Sequence, residues 1–183
     1  GMRRVLIGVE SGSQEMMDWL SKDIKIEQVW ECARRCKKHG INVIFPFIVG
    51  FPNESEESFR ASIKMIKQLS KMSHLFETPI FYFKPYPGSK ITADVIKDGY
   101  KLPQTVLEWS EFDYIGSSGP WVSEEKYRFV ERFKFYTKLS KTRNSILLKP
   151  LNKIALWRLN KDRYSFPIEK YIVEKVKKQQ KLS

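Results

Sequence analysis

Three short apolar runs, each followed by a helical pattern, organise the first hundred residues. The runs cover residues 3–9, 42–50 and 79–83. Their β-branched and aromatic composition predicts buried strands, and Pro46 within the second run predicts a bulge or an unpaired position, because proline has no amide hydrogen. Strands that alternate with helices indicate an α/β fold with parallel strands and right-handed crossovers.

Capping residues and apolar periodicity mark the helices between these strands. Ser13 is a suitable N-cap for a first helix, and a second helix is predicted over residues 26–39. For the third helix, Asn53 with Glu56 fits a capping box, and Ser55 is a rival cap. The apolar positions of that helix repeat every three or four residues, at Phe59, Ile63, Ile66 and Leu69.

The pattern changes at about residue 100. Residues 103–122 are irregular, and Ser123 caps a long predicted helix over residues 124–141. Residues 146–159 are predicted to be helical in part, and Phe166-Pro167 begins a last helix. We therefore divide the chain into an α/β part, residues 3–100, and a helical extension, residues 101–183.

Charge separates the two ends of the chain more sharply than hydropathy does. Residues 1–125 contain 16 Lys or Arg and 17 Asp or Glu, whereas residues 126–183 contain 17 and 4. This basic extension indicates either contact with an anionic partner or a solvated helical surface.

No targeting segment is evident in the sequence. The longest uncharged apolar run is too short to span a bilayer, and no basic-then-apolar start precedes the first strand. The 183 residues contain only two cysteines, which cannot form a disulfide framework. We expect a reducing, cytoplasmic setting.

The loops that follow the three strands carry the candidate chemistry, because function gathers at the carboxyl ends of strands in parallel α/β folds. The first is Gly8-Val9-Glu10-Ser11-Gly12-Ser13, with Lys22 after it, and the second is Gly50-Phe51-Pro52-Asn53-Glu54-Ser55. The third is Phe83-Lys84-Pro85-Tyr86-Pro87-Gly88-Ser89. In this order the three loops resemble the radical S-adenosylmethionine (radical SAM) superfamily, most closely its branch with an N-terminal cobalamin-binding domain. The resemblance covers about residues 3–100.

The resemblance implies half of a (βα)6 partial TIM barrel, made of three parallel βα units and followed by the helical basic extension. It implies S-adenosylmethionine as cofactor, a 4Fe-4S cluster in the complete enzyme, and cobalamin as a further cofactor of that branch. The family's Cys-x3-Cys-x2-Cys loop is absent from this sequence. Because thiolates hold such clusters, we expect this chain alone to lack the cluster and to be inactive.

The resemblance also implies which residues contact S-adenosylmethionine. Its ammonium group and ribose hydroxyls suit the carboxylate of Glu10 and the hydroxyls of Ser11 and Ser13. The alternative is that Ser13 only caps a helix and Glu10 only faces its N-terminus. The residues that end the second and third strands would line the adenine and close the pocket: Ile48, Val49, Gly50, Phe83 and Pro85.

One segment has the spacing of a Cys-x3-Cys-x2-His metal site, with Cys32, Cys36 and His39 as the candidate ligands. They stand at i, i+4 and i+7 of a predicted helix, away from the strand ends, and three ligands fall short of the usual four. We therefore predict no metal site here.

Aromatic and basic residues alternate along the predicted helix 124–141. Such a pattern suits an anionic membrane or single-stranded nucleic acid, but aromatics at helical spacing more often pack in a core, and we favour packing. Two hypotheses follow: the S-adenosylmethionine-binding part of a radical SAM enzyme, or a non-catalytic module whose basic tail binds an anionic membrane, with nucleic acid disfavoured. The open edge at residues 3–9 predicts a homodimer or pairing with a missing N-terminal half.

Overall fold

The structure, a computed structural model, describes residues 1–112, 119–141 and 149–173. It contains two compact units, Gly1–Val122 and Ser123–Ser183. The division lies later in the chain than the boundary predicted at residue 100. Residues such as Trp121 belong to the first unit, where its ring lies 5.6 Å from the ring of Phe83.

Five short parallel strands form the sheets of the first unit. They are β1 (Arg4–Leu6), β2 (Asn42–Ile44), β3 (Phe47–Val49), β4 (Phe76–Glu77) and β5 (Ile80–Tyr82). One sheet has the order β1-β2-β4 and the other pairs β3 with β5, and all pairs are parallel. A parallel bridge between Glu10 and Phe47 extends the path of β1 alongside β3.

Two prolines separate the short strands from one another. Pro46 separates β2 from β3 and Pro79 separates β4 from β5, since neither can donate a ladder hydrogen bond. Their carbonyls still accept: Glu10 N donates to Pro46 O at 3.1 Å, and Phe47 N donates to Pro79 O at 2.9 Å. The interruption predicted at Pro46 is confirmed, whereas the one at Pro79 and the strand β4 before it were not predicted.

Helices connect these strands. They are α1 (Gln14–Trp19), α2 (Ile26–Lys38), α3 (Glu56–Met72), α4 (Lys90–Lys97) and α5 (Val106–Glu111). Ser13 caps α1 as predicted, and Ser55 caps α3 by accepting from Ser58 N at 3.1 Å. The alternative capping box of Asn53 with Glu56 is therefore wrong, because the helix begins at Glu56 itself. The predicted irregular stretch 103–122 contains α5, which Thr105 and Glu108 cap reciprocally.

The core of the first unit lies between α3 and the sheet. The predicted apolar stripe of α3 is at most 4% exposed along its length, at Phe59, Ile63, Ile66 and Leu69. The strands and the link between β2 and β3 contribute fully buried residues, among them Val43, Phe45, Phe47, Val49 and Phe76. The fold class is thus α/β with short parallel strands, and the half-barrel arrangement stays a prediction.

The described residues of the second unit form helices and a loop at residues 162–167. It contains α6 (Glu124–Lys141), α7 (Lys149–Lys161) and a helix over residues 168–173, here α8. The predicted bounds of α6 are confirmed, and so is the interpretation that its aromatic side packs: Phe133 and Tyr136 are fully buried. None of the described helices combines the length and the apolar content of a membrane span. The C-terminal part of the basic extension, residues 174–183, lies outside the described residues.

Candidate functional site

A pocket of about 470 Å³ opens beside the carboxyl ends of the strands in the first unit. Its volume lies in the range typical of small-molecule sites. Charged residues at one part of its wall are Glu10, Lys22 and Lys84. The remaining wall is mainly apolar and aromatic, with Leu20, Pro46, Ile48, Phe51, Phe81, Tyr82, Phe83, Tyr86 and Ile91.

The backbone of Glu10 is held in an unusual conformation at this pocket. Its φ of +65° lies in the left-handed region, which residues with a side chain rarely adopt. Glu10 N donates to Pro46 O at 3.1 Å, and Glu10 O accepts from Ile48 N at 2.8 Å. The neighbouring strand thus fixes this conformation, as is common for residues that present a side chain at a functional site.

The carboxylate of Glu10 forms an ion pair with Lys22. Lys22 Nζ lies 3.0 Å from Glu10 Oε1 and also donates to Gly8 O at 3.3 Å. The side chain of Glu10 is 20% exposed and that of Lys22 is 32% exposed, so both groups reach the pocket without being freely solvated. The pocket therefore presents a negative and a positive group side by side.

Gly8 provides the space for this pair. A Cβ at this position would lie 2.7 Å from Glu10 Oε1 and 3.3 Å from Lys22 Nζ. Any larger residue would push the carboxylate or the ammonium group away. The Gly-Val-Glu order of the first loop thus has a steric reason in addition to its chemistry.

The pairing of β3 with β5 places the apolar wall. Ile48 is in register with Phe81, and both are half-buried, whereas their neighbours Val49 and Tyr82 are buried. Since side chains alternate between the two faces of a strand, Ile48 and Phe81 share the pocket face and Val49 lies on the core face. Phe83 closes the wall and packs on Phe51 with ring centroids 5.0 Å apart.

The structure brings together three of the predicted contact residues, since Glu10, Ile48 and Phe83 all line the pocket. The other five are not among its lining residues. Val49 and Pro85 are buried, and Gly50, with φ of +76°, donates its N–H to Glu54 Oε2 at 2.8 Å.

The two predicted serines hold the first loop on α3. Ser11 is 1% exposed, lies 3.2 Å from Ser62 Oγ through its hydroxyl, and accepts from Ser13 N at 3.1 Å. Ser13 caps α1 and accepts from Ser58 Oγ at 3.0 Å. In this structure the capping alternative describes Ser13, and both hydroxyls position the loop that carries Glu10.

Several pocket residues were not predicted as contacts, above all Lys22 and Phe81. The sequence contains a signal for Phe81, because it stands between the buried positions Ile80 and Tyr82 of one strand. Lys22 lies in the turn after α1, and only the folded chain shows that this turn brings it back to Glu10.

The candidate metal residues on α2 do not belong to the pocket. Cys36 is 8% exposed, and its burial, together with the neighbouring Cys32, raises the pKa of the Cys36 thiol. Among residues 1–112, 119–141 and 149–173, no three His, Cys, Asp or Glu side chains converge as a metal site would require. The pocket chemistry is therefore that of an ion pair beside an aromatic wall.

Part of this chain is similar to known proteins. The sequence profile of the Radical SAM superfamily matches residues 1–66, which include Glu10, Lys22 and Ile48. An uncharacterized methyltransferase of Pyrococcus horikoshii is 26% identical over 132 residues, 72% of this chain and 28% of its own length.

Two further relatives bear the name tRNA-2-methylthio-N(6)-dimethylallyladenosine synthase. The protein of Clostridium botulinum is 32% identical over 68 residues, 36% of this chain and 15% of its own length. The protein of Zymomonas mobilis is 28% identical over 115 residues, 58% of this chain and 25% of its own length. The chain thus spans between 15% and 28% of the length of these curated relatives.

Proposed function

We propose that the strand-end pocket of this chain, which is related to the radical SAM superfamily through residues 1–66, binds S-adenosylmethionine. The observation that carries the proposal is the ion pair of Glu10 and Lys22 at 3.0 Å beside an aromatic wall. The family implies S-adenosylmethionine and a 4Fe-4S cluster in its complete enzymes, and the proposal assigns the first of these to this pocket.

The ion pair complements the amino-acid end of S-adenosylmethionine. That end carries an ammonium and a carboxylate group on one carbon, so it presents the same two charges that Glu10 and Lys22 present to each other. On binding, Glu10 would accept from the ammonium group and Lys22 would donate to the carboxylate. Charge-assisted hydrogen bonds of this kind are the stronger ones in proteins.

The aromatic wall complements the adenine end. Ile48 and Phe81 offer a flat apolar surface next to each other in register, and Phe83 is 8% exposed at its margin. A planar heterocycle gains apolar burial and ring contacts on such a wall. The two ends of the pocket therefore match the two ends of one ligand.

The residues of this chain do not fit an iron–sulfur cluster. Such clusters are held by several cysteine thiolates, and the two cysteines of the sequence both lie on α2, outside the pocket. We therefore assign to these residues the binding and orientation of S-adenosylmethionine and no step of the radical chemistry. Cobalamin stays a prediction of the resemblance.

Anaerobic titration calorimetry of the 183-residue chain with S-adenosylmethionine tests the proposal. Glu10→Gln and Lys22→Met should each weaken binding about tenfold or more, because each removes a charge-assisted hydrogen bond worth about 1.5–3 kcal/mol. The matched controls are Glu56→Gln and Lys25→Met, which remove exposed charges in salt bridges outside the pocket.

Unchanged affinity in Glu10→Gln and Lys22→Met, or absence of binding by the unaltered chain, would refute the assignment of this pocket. Methionine alone and 5′-deoxyadenosine alone should each bind more weakly than S-adenosylmethionine, since each fills one end of the pocket.

We also propose that the β1 edge of the sheet pairs with a second copy of this chain. β1 is the terminal strand of the order β1-β2-β4, and Leu6 on it is 63% exposed. Open edges and exposed apolar residues favour strand pairing. Sedimentation velocity should show a dimer that Leu6→Lys weakens and Leu107→Lys does not, and a monomer at high concentration would contradict this.

A further inference from the structure

Seven large apolar side chains are exposed on the second unit, along α7, the loop after it and α8. They are 38% to 84% exposed and together form what we call the outer apolar face: Ile154, Leu156, Trp157, Phe166, Ile168, Tyr171 and Ile172. Groups of exposed large apolar side chains are uncommon on soluble proteins and commonly mark interaction sites.

The positions of these residues along α7 and α8 place them on the solvent side of each helix. In α7, Ala155 and Leu159 are buried, and Ile154 and Trp157 lie on the opposite side, three residues apart. In α8, Glu169 and Val173 are buried, whereas Ile168, Tyr171 and Ile172 are exposed at spacing i, i+3 and i+4. Solvent-facing positions of surface helices are ordinarily polar, so both helices depart from that rule.

A buried polar cluster fixes α8 and the loop on α7. Arg158 donates through Nε to Glu169 Oε1 at 3.0 Å and through its terminal nitrogens to the carbonyls of Ser165 at 2.8 Å and Phe166 at 3.1 Å. Tyr136 of α6 donates to Glu169 Oε2 at 2.8 Å. The outer apolar face therefore has a defined arrangement, set by contacts from three helices.

Basic side chains lie next to the apolar residues of this face. Lys153 and Lys161 are exposed on α7, and their helical positions lie on either side of Trp157. Arg163 is exposed in the loop after α7. Over residues 123–183 the sequence contains 17 Lys or Arg against 6 Asp or Glu. A partner that combines an apolar part with negative surface charge would complement both features.

We propose that the outer apolar face binds the surface of an anionic lipid bilayer. A helix surface that combines Trp, Tyr and aliphatic residues with flanking cations lies in the interface of such a membrane, with its apolar side among the acyl chains. Four members of the face are aliphatic, and they favour a bilayer over nucleic acid as the partner: Ile154, Leu156, Ile168 and Ile172. Bases stack on aromatic rings and phosphates pair with cations, and neither needs exposed isoleucine or leucine.

Vesicle flotation with the full 183-residue chain tests this. The chain should bind vesicles of phosphatidylcholine mixed with phosphatidylglycerol, should bind pure phosphatidylcholine much less, and should release as salt is raised. The double variant Trp157→Ser with Phe166→Ser should bind the anionic vesicles at least about tenfold more weakly, since two interfacial aromatic side chains are lost.

A matched control uses exposed apolar residues of the first unit. Val106 and Leu107 on α5 are 88% and 70% exposed, so Val106→Ser with Leu107→Ser removes comparable apolar surface elsewhere and should leave vesicle binding unchanged. Brominated lipids should quench tryptophan fluorescence of the unaltered chain, and Trp157→Phe should remove that quenching while the chain still floats. This second readout keeps the test valid if the double variant fails to fold.

Four results would overturn the proposal, and the first three concern vesicles. They are no flotation with anionic vesicles at low salt, equal loss of binding in the two double variants, and quenching that persists in Trp157→Phe. Binding to a single-stranded oligonucleotide in preference to anionic vesicles would assign the cations to nucleic acid and would likewise refute it.

Discussion

The two units of this chain use buried and half-buried charge in opposite ways. In the first unit, Glu10 and Lys22 pair at the wall of a pocket, where a ligand can reach both. In the second unit, Arg158 and Glu169 pair with side chains only 12% and 9% exposed, and Tyr136 completes the cluster. One ion pair is therefore available for recognition, whereas the other fixes the relative positions of helices.

The packing of the two units differs for a related reason. Hydrogen bonds between strands and the core against α3 hold the first unit together. Its polar side chains at the strand ends are therefore available for a ligand. The second unit has no strand among its described residues and relies on α6–α7 packing and on the Glu169 cluster. Loss of one buried charge should therefore affect the second unit more.

The largest expected effect comes from Glu169→Gln. The variant leaves the guanidinium of Arg158 without its counter-charge, and breaking a buried pair typically costs about 3–5 kcal/mol. We expect the free energy of opening of α6 to α8 to fall by about 3 kcal/mol, while the first unit is unaffected. Hydrogen exchange measured segment by segment checks this, because it reports each unit separately.

Glu124→Gln is the matched control for that experiment. The side chain of Glu124 is 90% exposed, and its contact with Arg128 is a surface pair at 3.7 Å. Such pairs contribute little, so protection of α6 to α8 should not change. Equal exchange in the two variants would show that Glu169 does not hold the second unit together.

An intermediate effect is expected for two glycines of the first loop. A Cβ on Gly12 would lie 2.6 Å from Ala61 O and 2.7 Å from Ser62 Cα, which are backbone atoms of α3, whereas a Cβ on Gly8 would meet the ends of two flexible side chains. We expect Gly12→Ala to cost about 2–3 kcal/mol in the free energy of unfolding and Gly8→Ala about 1 kcal/mol or less.

Urea unfolding of the two variants measures the difference. Gly8→Ala should instead lower the affinity for S-adenosylmethionine, because its methyl group displaces the Glu10–Lys22 pair. A Gly12→Ala protein as stable as the unaltered chain would mean that the first loop does not rest on α3 as the structure has it.

The smallest expected effect is a loss of stability of the second unit at acid pH. Burial alone would raise the pKa of Glu169, but hydrogen bonds from its own backbone N–H, from Arg158 and from Tyr136 outweigh burial and lower it. A carboxyl group with a lowered folded-state pKa contributes stability above its unfolded pKa, about 4.3, and that contribution is lost as the pH falls through the folded-state pKa.

The second unit should accordingly lose protection below about pH 4, and Glu169→Gln should lack that component of the pH dependence. Hydrogen exchange compared at neutral and acidic pH, corrected for intrinsic rates, measures it. An identical acid response in Glu169→Gln and the unaltered chain would contradict the role of this carboxylate.

Local signals in the sequence determined most elements of this protein. Ser13 specifies the start of α1 and Ser123 the start of α6, because a cap acts through residues only three positions away. The apolar spacing of α3 and the break at Pro46 were likewise local, and so were the strand-end loops that led to Glu10. These features involve short distances along the chain, which a sequence pattern records directly.

Tertiary structure decided the features that join distant residues. The turn after α1 brings Lys22 to Glu10, α3 holds Ser11 and Ser13 away from the pocket, and the register of β3 with β5 sets Ile48 beside Phe81. None of these follows from a periodic pattern, because each depends on which two segments meet in space.

The outer apolar face shows the same division most clearly. The sequence pattern of α7 is compatible with burial of either side. The alternation of basic and aromatic residues lies on α6, where Phe133 and Tyr136 are buried. Packing of Ala155 and Leu159 inward, with Arg158 bound to Glu169, turned Trp157 and Ile154 to the solvent. The sequence by itself determined that helices form here, and the tertiary structure decided which side of each is exposed, because burial depends on contacts between helices far apart in the chain.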